Sequence, residues 1–178
     1  MGWKGSDTRS IYFEEMFIPK ENVLGSPSKG FKQFLKTLTG GRITIGSLAL
    51  GTAQGAYQRA LLYSKEREAF GKEINKFQGV SFKLADMATQ IQAAKHLVYH
   101  AAYKKDNGED VIKEAAMAKL FSSEMCMKVT TEAIQVFGGY GYIKEYDVER
   151  FFRDSKILEI GEGTSEIQRI IISREILS

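Results

Sequence analysis

The hydrophobic positions that organise this chain recur at intervals of three and four, the spacing that gathers side chains on one face of a helix. Val80, Leu84, Met87, Ile91, Ala94, Val98 and Ala101 form one such stripe and predict a helix from about Gly79 to Lys105, ended by Asn107-Gly108. Val111, Ala115, Ala118, Ser122, Met125, Val129, Ala133 and Val136 form a second, predicting a helix from about Glu109 to Phe137 that Gly138-Gly139 closes. Ahead of both, Phe31, Phe34, Leu35, Leu38, Ile43, Ile45, Leu48 and Leu50 predict a helix from about Gly30 to Arg67, interrupted at Gly40-Gly41. Gly51 and Gly55 stand one turn apart in it; each helical glycine costs about 1 kcal/mol relative to alanine, so a closely packed neighbour is expected there. Two shorter amphipathic segments follow, about Tyr146 to Leu158 and Ser165 to Leu177. No proline falls between Ser28 and Ser178, which permits long helices. Long helices joined by short loops pack most simply as an antiparallel bundle, so the expected fold is all-α, of four-helix type, with a short N-terminal β tail.

That tail is residues 9 to 18, Arg-Ser-Ile-Tyr-Phe-Glu-Glu-Met-Phe-Ile, which are rich in β-formers and roughly alternate. A lone strand exposes a row of donors and acceptors, so it needs a partner outside this chain or a place along its helices. Pro19, Asn22, Gly25, Ser26 and Pro27 make a plausible linker, dividing the chain into residues 1–27 and a helical domain over 28–178.

With 43% hydrophobic and 26% charged residues among 178, the composition is that of a globular domain with one substantial core. A net charge of +3 without a dense Lys/Arg block argues against nucleic acid and suits a modestly anionic small ligand. One cysteine, Cys126, cannot form an internal disulfide and reads as a small core residue in a reducing compartment. The N-terminus lacks the apolar core of a signal peptide and no run is long enough to span a membrane, so the chain reads as intracellular and soluble, in bacterial cytoplasm or a mitochondrial matrix.

Candidate chemistry concentrates at Gly161-Glu162-Gly163-Thr164-Ser165-Glu166. One carboxylate sits between two glycines, which tolerate unusual backbone angles and let another molecule approach the main chain. Thr164 or Ser165 can cap the last helix, Ser165 and Gln168 having capping-box spacing. The plain alternative is a solvated turn glutamate. Three glycines in Gly138-Gly139-Tyr140-Gly141 exceed what a helix C-cap needs and can present N–H groups to phosphate, although no strand precedes them as in a dinucleotide fingerprint. The loop Arg67-Glu68-Ala69-Phe70-Gly71-Lys72, with Phe77-Gln78, is explicable as a helix stop bearing cations. His96 and His100, four apart, lack a third metal ligand, so no metal is expected.

Gly161-Glu162-Gly163-Thr164-Ser165-Glu166-Ile167-Gln168-Arg169, preceded by Arg153-Asp154, closely resembles the C-terminal signature of the acyl-CoA dehydrogenases. Gly40-Gly41-Arg42, Glu66 to Lys72, Phe77-Gln78, Leu84 to Met87, Ala118-Lys119, and Gln135 with Gly138-Gly139 resemble further family marks in the same order, so the resemblance runs essentially end to end. It implies an FAD enzyme that removes the pro-R α-proton of an acyl-CoA while a β-hydride passes to flavin N5, giving a trans-2-enoyl-CoA. Glu162 would be the base. Arg42 would help position CoA and Gly163 would meet the thioester region. Arg67 and Phe70 would contact FAD, Gln78 its ribose or adenine side, and Thr164 and Glu166 the flavin end. Gln135, Gly138 and Gly139 would hold the adenine half of a neighbouring subunit's FAD. Implied partners are an acyl-CoA, an electron-transfer flavoprotein or similar acceptor, and further copies in a dimer or tetramer.

Two departures from the family pattern shape these expectations. Gly161 replaces an aromatic residue before the glutamate, which would reshape the acyl pocket; Gly41 occupies the position where some branches carry the base, leaving Glu162 as the base consistent with the family. Residues 1–27 resemble the closing strands of the family's middle β-domain and its linker, so the chain resembles a C-terminal fragment expected to retain FAD weakly and turn over little alone. An oligomerisation module without catalysis and a domain of an acyl-CoA oxidase are the competing readings; an assembly module would need the apolar stripes but not Arg67, Gln135 or Glu162.

Overall fold

The computed structural model describes all residues, Met1–Ser178. Six α-helices carry the fold: α1 (Gly30–Glu66), α2 (Gln78–Asp106), α3 (Ile112–Phe137), α4 (Val148–Ser155), α5 (Ile157–Ile160) and α6 (Ser165–Leu177). Between α1 and α2 a minimal antiparallel pair, β1 (Glu68–Ala69) and β2 (Lys72–Glu73), brackets a turn at Phe70-Gly71. α3 is the central helix, packed on α1, α2, α4 and α6.

Both predicted stripes are core. On α2, Leu84, Met87, Ile91, Ala94, Val98 and Ala101 are buried, and so is every stripe position of α3. On α1, Ile43 and Leu50 of the predicted stripe are buried, but the face is completed by Ala49, Ala53, Ala56 and Ala60, at spacings of four, three and four. Phe31, Phe34 and Leu35 are exposed, because the first two turns of α1 extend beyond the bundle. Cys126 belongs to the core, and burial pushes its thiol up to about 12.

Four local expectations need correction. α1 runs through Gly40-Gly41 without a break: two glycines cost about 2 kcal/mol in helix propensity, little against the tertiary packing of a 37-residue helix. Gly55 is indeed packed, its missing Cβ leaving room for the Phe151 ring, but Gly51 faces open space. Residues 9–18 form no strand, and Ile11, Tyr12, Phe13 and Phe17 are exposed, because the chain offers this segment no strand edge to pair with. The tail is tied down at its start, where Trp3 N–H donates to Asp154 Oδ1 (2.7 Å) and Arg153 Nη1 donates to the Met1 carbonyl (2.9 Å). The fourth correction concerns the cap of α6 and is taken with the site.

The path after α3 decides where the last motif lands. α4 turns back along the bundle, with Asp147 paired to Arg59 (3.1 Å), Phe151 over Gly55 and Ser155 bonded to Thr130 (3.2 Å). The chain thereby returns to the Gly40 end of α1, and α6 begins there. The α2–α3 junction is held by Lys104, whose Nζ lies 2.9 Å from Glu114 and 3.4 Å from Glu109. Burial raises the Glu114 carboxyl, but the Lys104 hydrogen bond, a backbone hydrogen bond and the charges of Lys104 and Lys113 together outweigh it and leave the group below the usual carboxylate range. A depressed carboxyl contributes stability that is present above its ordinary value of 4.5 and is lost as pH falls through the lower folded value. E114Q is therefore expected to lower the thermal midpoint at pH 7 and to flatten the midpoint's decline below about pH 4.5, which scanning fluorimetry across a pH series would measure.

Candidate active site

The Glu162 turn has unusual backbone. Gly161 has an ordinary extended conformation (φ −64°, ψ 155°), whereas Glu162 and Gly163 both lie at positive φ, +56° and +92°. The unusual backbone is thus at the glutamate itself and the residue after it, not on both flanks as the glycines suggested. Left-handed backbone at a residue bearing a Cβ costs about 1–2 kcal/mol, so the turn must be held from outside.

The hold comes from two buried side chains. Gln168 Nε2 donates to the Gly163 carbonyl (2.8 Å) and the Glu162 carbonyl (3.3 Å), and Lys119 Nζ, from α3, donates to the Gly163 carbonyl (2.7 Å). Both residues are 0% exposed. Thr164 is the N-cap of α6, its hydroxyl accepting from Ile167 N–H at 3.4 Å. Ser165 is the first helical residue and not the cap, its hydroxyl is unpartnered, and Gln168 is turned to the carbonyls of the turn; this is the capping-box correction. Glu166, in the first turn of α6, is kept below the usual carboxylate range by its own backbone N–H and the Thr164 hydroxyl.

Across from the turn stands α1. A Cβ added at Gly41 would lie 2.6 Å from Glu162 Oε2, so the carboxylate rests in space that only glycine leaves. Arg42, the next residue, is 7% exposed and its Nε has no partner. Burial holds its guanidinium below its ordinary value while the Glu162 carboxylate pulls it back up. Glu162 itself is exposed. A solvent-reachable carboxylate, a buried cation beside it and a backbone turn fixed from the core can accept a proton from a group brought against them.

The remaining motif residues gather at the other end of α1. Arg67 caps that helix, its guanidinium 5.5 Å from the Tyr140 ring centroid, and with Tyr63, Ile74, Val136, Phe137, Gly138, Gly139 and Ile143 these line an open cavity of about 470 Å³. Tyr63 stacks on Phe137 at 4.0 Å, fixing the two helix ends together. Gly138 ends α3 at φ +60°, and Gly141 is packed against the Ile134 carbonyl; Gly138 and Gly139 face open space. Phe70, 96% exposed at φ +52°, meets Phe77 edge-on at 6.2 Å, and Gln78 opens α2 beside it. Gln135 is exposed on the last turn of α3. His96 and His100 are exposed on α2, His96 bonded to Gln92 (3.0 Å).

The structure thus sorts the predicted site residues into two groups. Glu162, Gly163, Thr164 and Glu166 lie with Arg42; Arg67, Phe70 and Gln78 lie with Gln135, Gly138 and Gly139. Arg42 and Arg67 are separated by most of α1, roughly 37 Å at about 1.5 Å per residue. Sequence reasoning missed the contribution of Lys119, Gln168 and Gly41 to the first group. For Lys119 a signal existed: it falls within the buried stripe of α3, four residues after Ala115 and three before Ser122.

Comparison with known proteins gives the family. Residues 28–177 match the family model described as acyl-CoA dehydrogenase, C-terminal domain. A probable acyl-CoA dehydrogenase of Bacillus subtilis is 55% identical over 177 residues, covering 99% of this chain and 47% of the relative. The short-chain specific acyl-CoA dehydrogenase of Clostridium acetobutylicum is 50% identical, covering 99% of this chain and 46% of that protein. The structure of butyryl-CoA dehydrogenase from Megasphaera elsdenii superposes with a TM-score of 0.89 at 52% identity, over 90% of this chain and 42% of that one. A chain in the structure of the electron transferring flavoprotein of Acidaminococcus fermentans superposes with a TM-score of 0.92 at 53% identity, over 93% of this chain and 43% of that one. This chain therefore spans about half the length of the curated relatives it matches. No helix is long and apolar enough to cross a membrane. The chain belongs to the acyl-CoA dehydrogenase family and corresponds to its C-terminal helical domain.

Proposed function

We propose that this domain supplies the base and part of the cofactor site of an FAD-dependent acyl-CoA dehydrogenase, with Glu162 taking the α-proton of an acyl-CoA. The observation that carries this reading is the Glu162 carboxylate set against Gly41, beside buried Arg42, on a turn fixed from the core. Removing a proton next to a thioester needs a carboxylate held within reach of the α-carbon. Gly41 leaves the carboxylate room, and Gly163 leaves the main chain open to the thioester region. Arg42, a permanent cation with an unpartnered donor, suits the polar CoA end of the substrate. A short-chain acyl group is in keeping with the Clostridium and Megasphaera relatives, whose names specify short-chain and butyryl substrates.

The chemistry a bound flavin supplies is acceptance of the β-hydride. The cavity at the far end of α1 fits a dinucleotide: Arg67 offers a cation, Tyr140 and exposed Phe70 offer rings, and Gly138-Gly139 offers bare backbone. It lies at the C-terminal end of α3, whose partial negative charge disfavours phosphate and suits the uncharged adenine and ribose. Gln78 at the start of α2 and Gln135 on the last turn of α3 would add polar contacts to the bound group. Thr164 and Glu166 would meet the flavin end beside Glu162. Because the two groups stand roughly 37 Å apart along one helix, they would serve different FAD molecules. Each cofactor would then lie between two copies of this chain, which makes the working form a dimer or tetramer. Residues 1–27 would close the β-domain of the longer protein, pairing the segment that stands unpaired here. The electron acceptor would be an electron-transfer flavoprotein, in keeping with a 49% identical relative, a subunit of the caffeyl-CoA reductase-Etf complex of Acetobacterium woodii. The soluble, cytoplasmic setting of such bacterial enzymes is the corresponding location.

A chimera in which this chain replaces the matching span of the Clostridium relative tests the base. E162Q in it is expected to lower kcat/KM for butyryl-CoA by about 10²–10⁴-fold, the usual contribution of a general base; undiminished turnover would reject the assignment. Gly161 has a φ of −64° that any residue adopts, and a Cβ there would meet only the Ile157 carbonyl, at 3.3 Å, so with a slight shift G161Y in the chimera should fold and shift the rate profile toward shorter acyl groups; an unchanged profile measured across chain lengths would show that position 161 does not shape the pocket. The chain purified alone is expected to carry little or no flavin, read from its absorption spectrum.

A further inference from the structure

Lys119 is the one buried cation that this mechanism leaves without a task. Its side chain is 0% exposed in the middle of α3, where the neighbouring stripe positions Ala115, Ala118 and Ser122 are small and buried. Placing an ammonium there is unfavourable, and burial does lower its pKa, with Glu159 and Glu166 opposing. Its structurally recorded partner is the Gly163 carbonyl at 2.7 Å. That carbonyl belongs to the second of two consecutive left-handed residues, and the first is Glu162.

We propose that Lys119 is a positioning residue for the proposed base: by donating to the Gly163 carbonyl it locks the Glu162–Gly163 turn and so fixes the carboxylate over Gly41. This rests on the reading of Glu162 given above, but the lock itself does not. A turn whose backbone is strained relaxes unless its carbonyls are tethered, and relaxation at Glu162 would swing the carboxylate away from α1. Gln168 donates to the same carbonyl from within α6, so it moves with the helix that the turn begins. Lys119 is the tether from a different helix, a direct hydrogen bond from α3 to the turn, whereas the Arg169–Glu124 pair (2.7 Å) joins α6 to α3 beyond it.

Two arms separate the lock from the base. In the chain itself, K119M keeps the shape of the side chain and removes the donor. Amide hydrogen exchange at the hydrogen-bonded N–H groups that bracket the turn, Gly161, Ile167 and Gln168, is expected to quicken at least tenfold while α2 and the rest of α3 hold their protection. Unchanged exchange at those groups, or uniform loss across the domain, overturns the lock. Should K119M not fold, the native chain answers by NMR: a protected Lys119 ammonium coupled through its hydrogen bond to the Gly163 carbonyl carbon supports the lock, and one exchanging like a surface lysine overturns it. In the chimera, K119M should lower kcat by about 10–100-fold with KM within about threefold, and should add nothing in the E162Q background. An equal fall with and without E162Q refutes action through Glu162. If E162Q alone is fully active, the base assignment fails while the exchange arm still decides the tether.

Discussion

Everything functional in this domain hangs on the contact between α1 and α3. The two helices meet through small side chains, Ala49, Ala53, Ala56 and Ala60 on one and Ala115, Ala118, Cys126 and Ala133 on the other, all 0% exposed. Alanine loses no side-chain entropy on burial and favours helix, so such a face is inexpensive to order and lets the backbones come close. At Gly46 the approach is limiting: a Cβ there would stand 3.3 Å from the Ala118 carbonyl. One end of this contact presents Gly41 and Arg42 beside Lys119, and the other presents Tyr63 and Arg67 beside Phe137 and Gly138. Both candidate sites are therefore the two ends of one rigid pair.

A close helix pair also explains how strain can be stored at Glu162. A positive φ at a glutamate persists only where the surroundings over-determine it. Here the constraints converge on a single carbonyl: two buried donors reach it, and the Thr164 cap fixes the helix that follows. Leaving a buried ammonium without its acceptor would be costly, so the lysine and the turn enforce one another. The exposed side chain is then aimed without being buried. Its desolvation is left to whatever closes over it.

How far the sequence revealed this depends on how local each feature is. The stripes of α2 and α3 were legible because Leu, Val, Met and Ile at intervals of three and four announce a buried face on their own. The face of α1 was legible at Ile43 and Leu50 but obscured elsewhere, because its other buried apolar residues are alanines, while Phe31, Phe34 and Leu35 imitate a core stripe that the bundle never covers. Residues 9–18 have strand composition, but a strand is a relation between two segments, and composition names only one. Arg42, Arg67, Glu162 and the paired glycines were legible through resemblance, as a series in order. Lys119 acquires its meaning only from Gly163, 44 residues further on. Even so, a lysine inside a stripe of small apolar residues is the kind of local conflict that marks a functional site.

The separation of the two ends carries one more consequence. A helix of 37 residues is longer than the bundle needs for its core, since the first two turns of α1 project with Phe31 and Phe34 uncovered. The packed part of the helix beyond those turns is what spaces Arg42 from Arg67. If both ends contact FAD, as proposed, a chain that binds cofactor at one end necessarily offers its other end to a second cofactor, and closed symmetric assembly satisfies both at once. Under that arrangement the exposed Phe70 and the bare Gly138-Gly139 backbone are waiting contacts, and cofactor binding would stabilise the assembly by mass action as well as the fold. Subunit association and flavin occupancy would then rise together, because each cofactor completes an interface that neither copy contains alone.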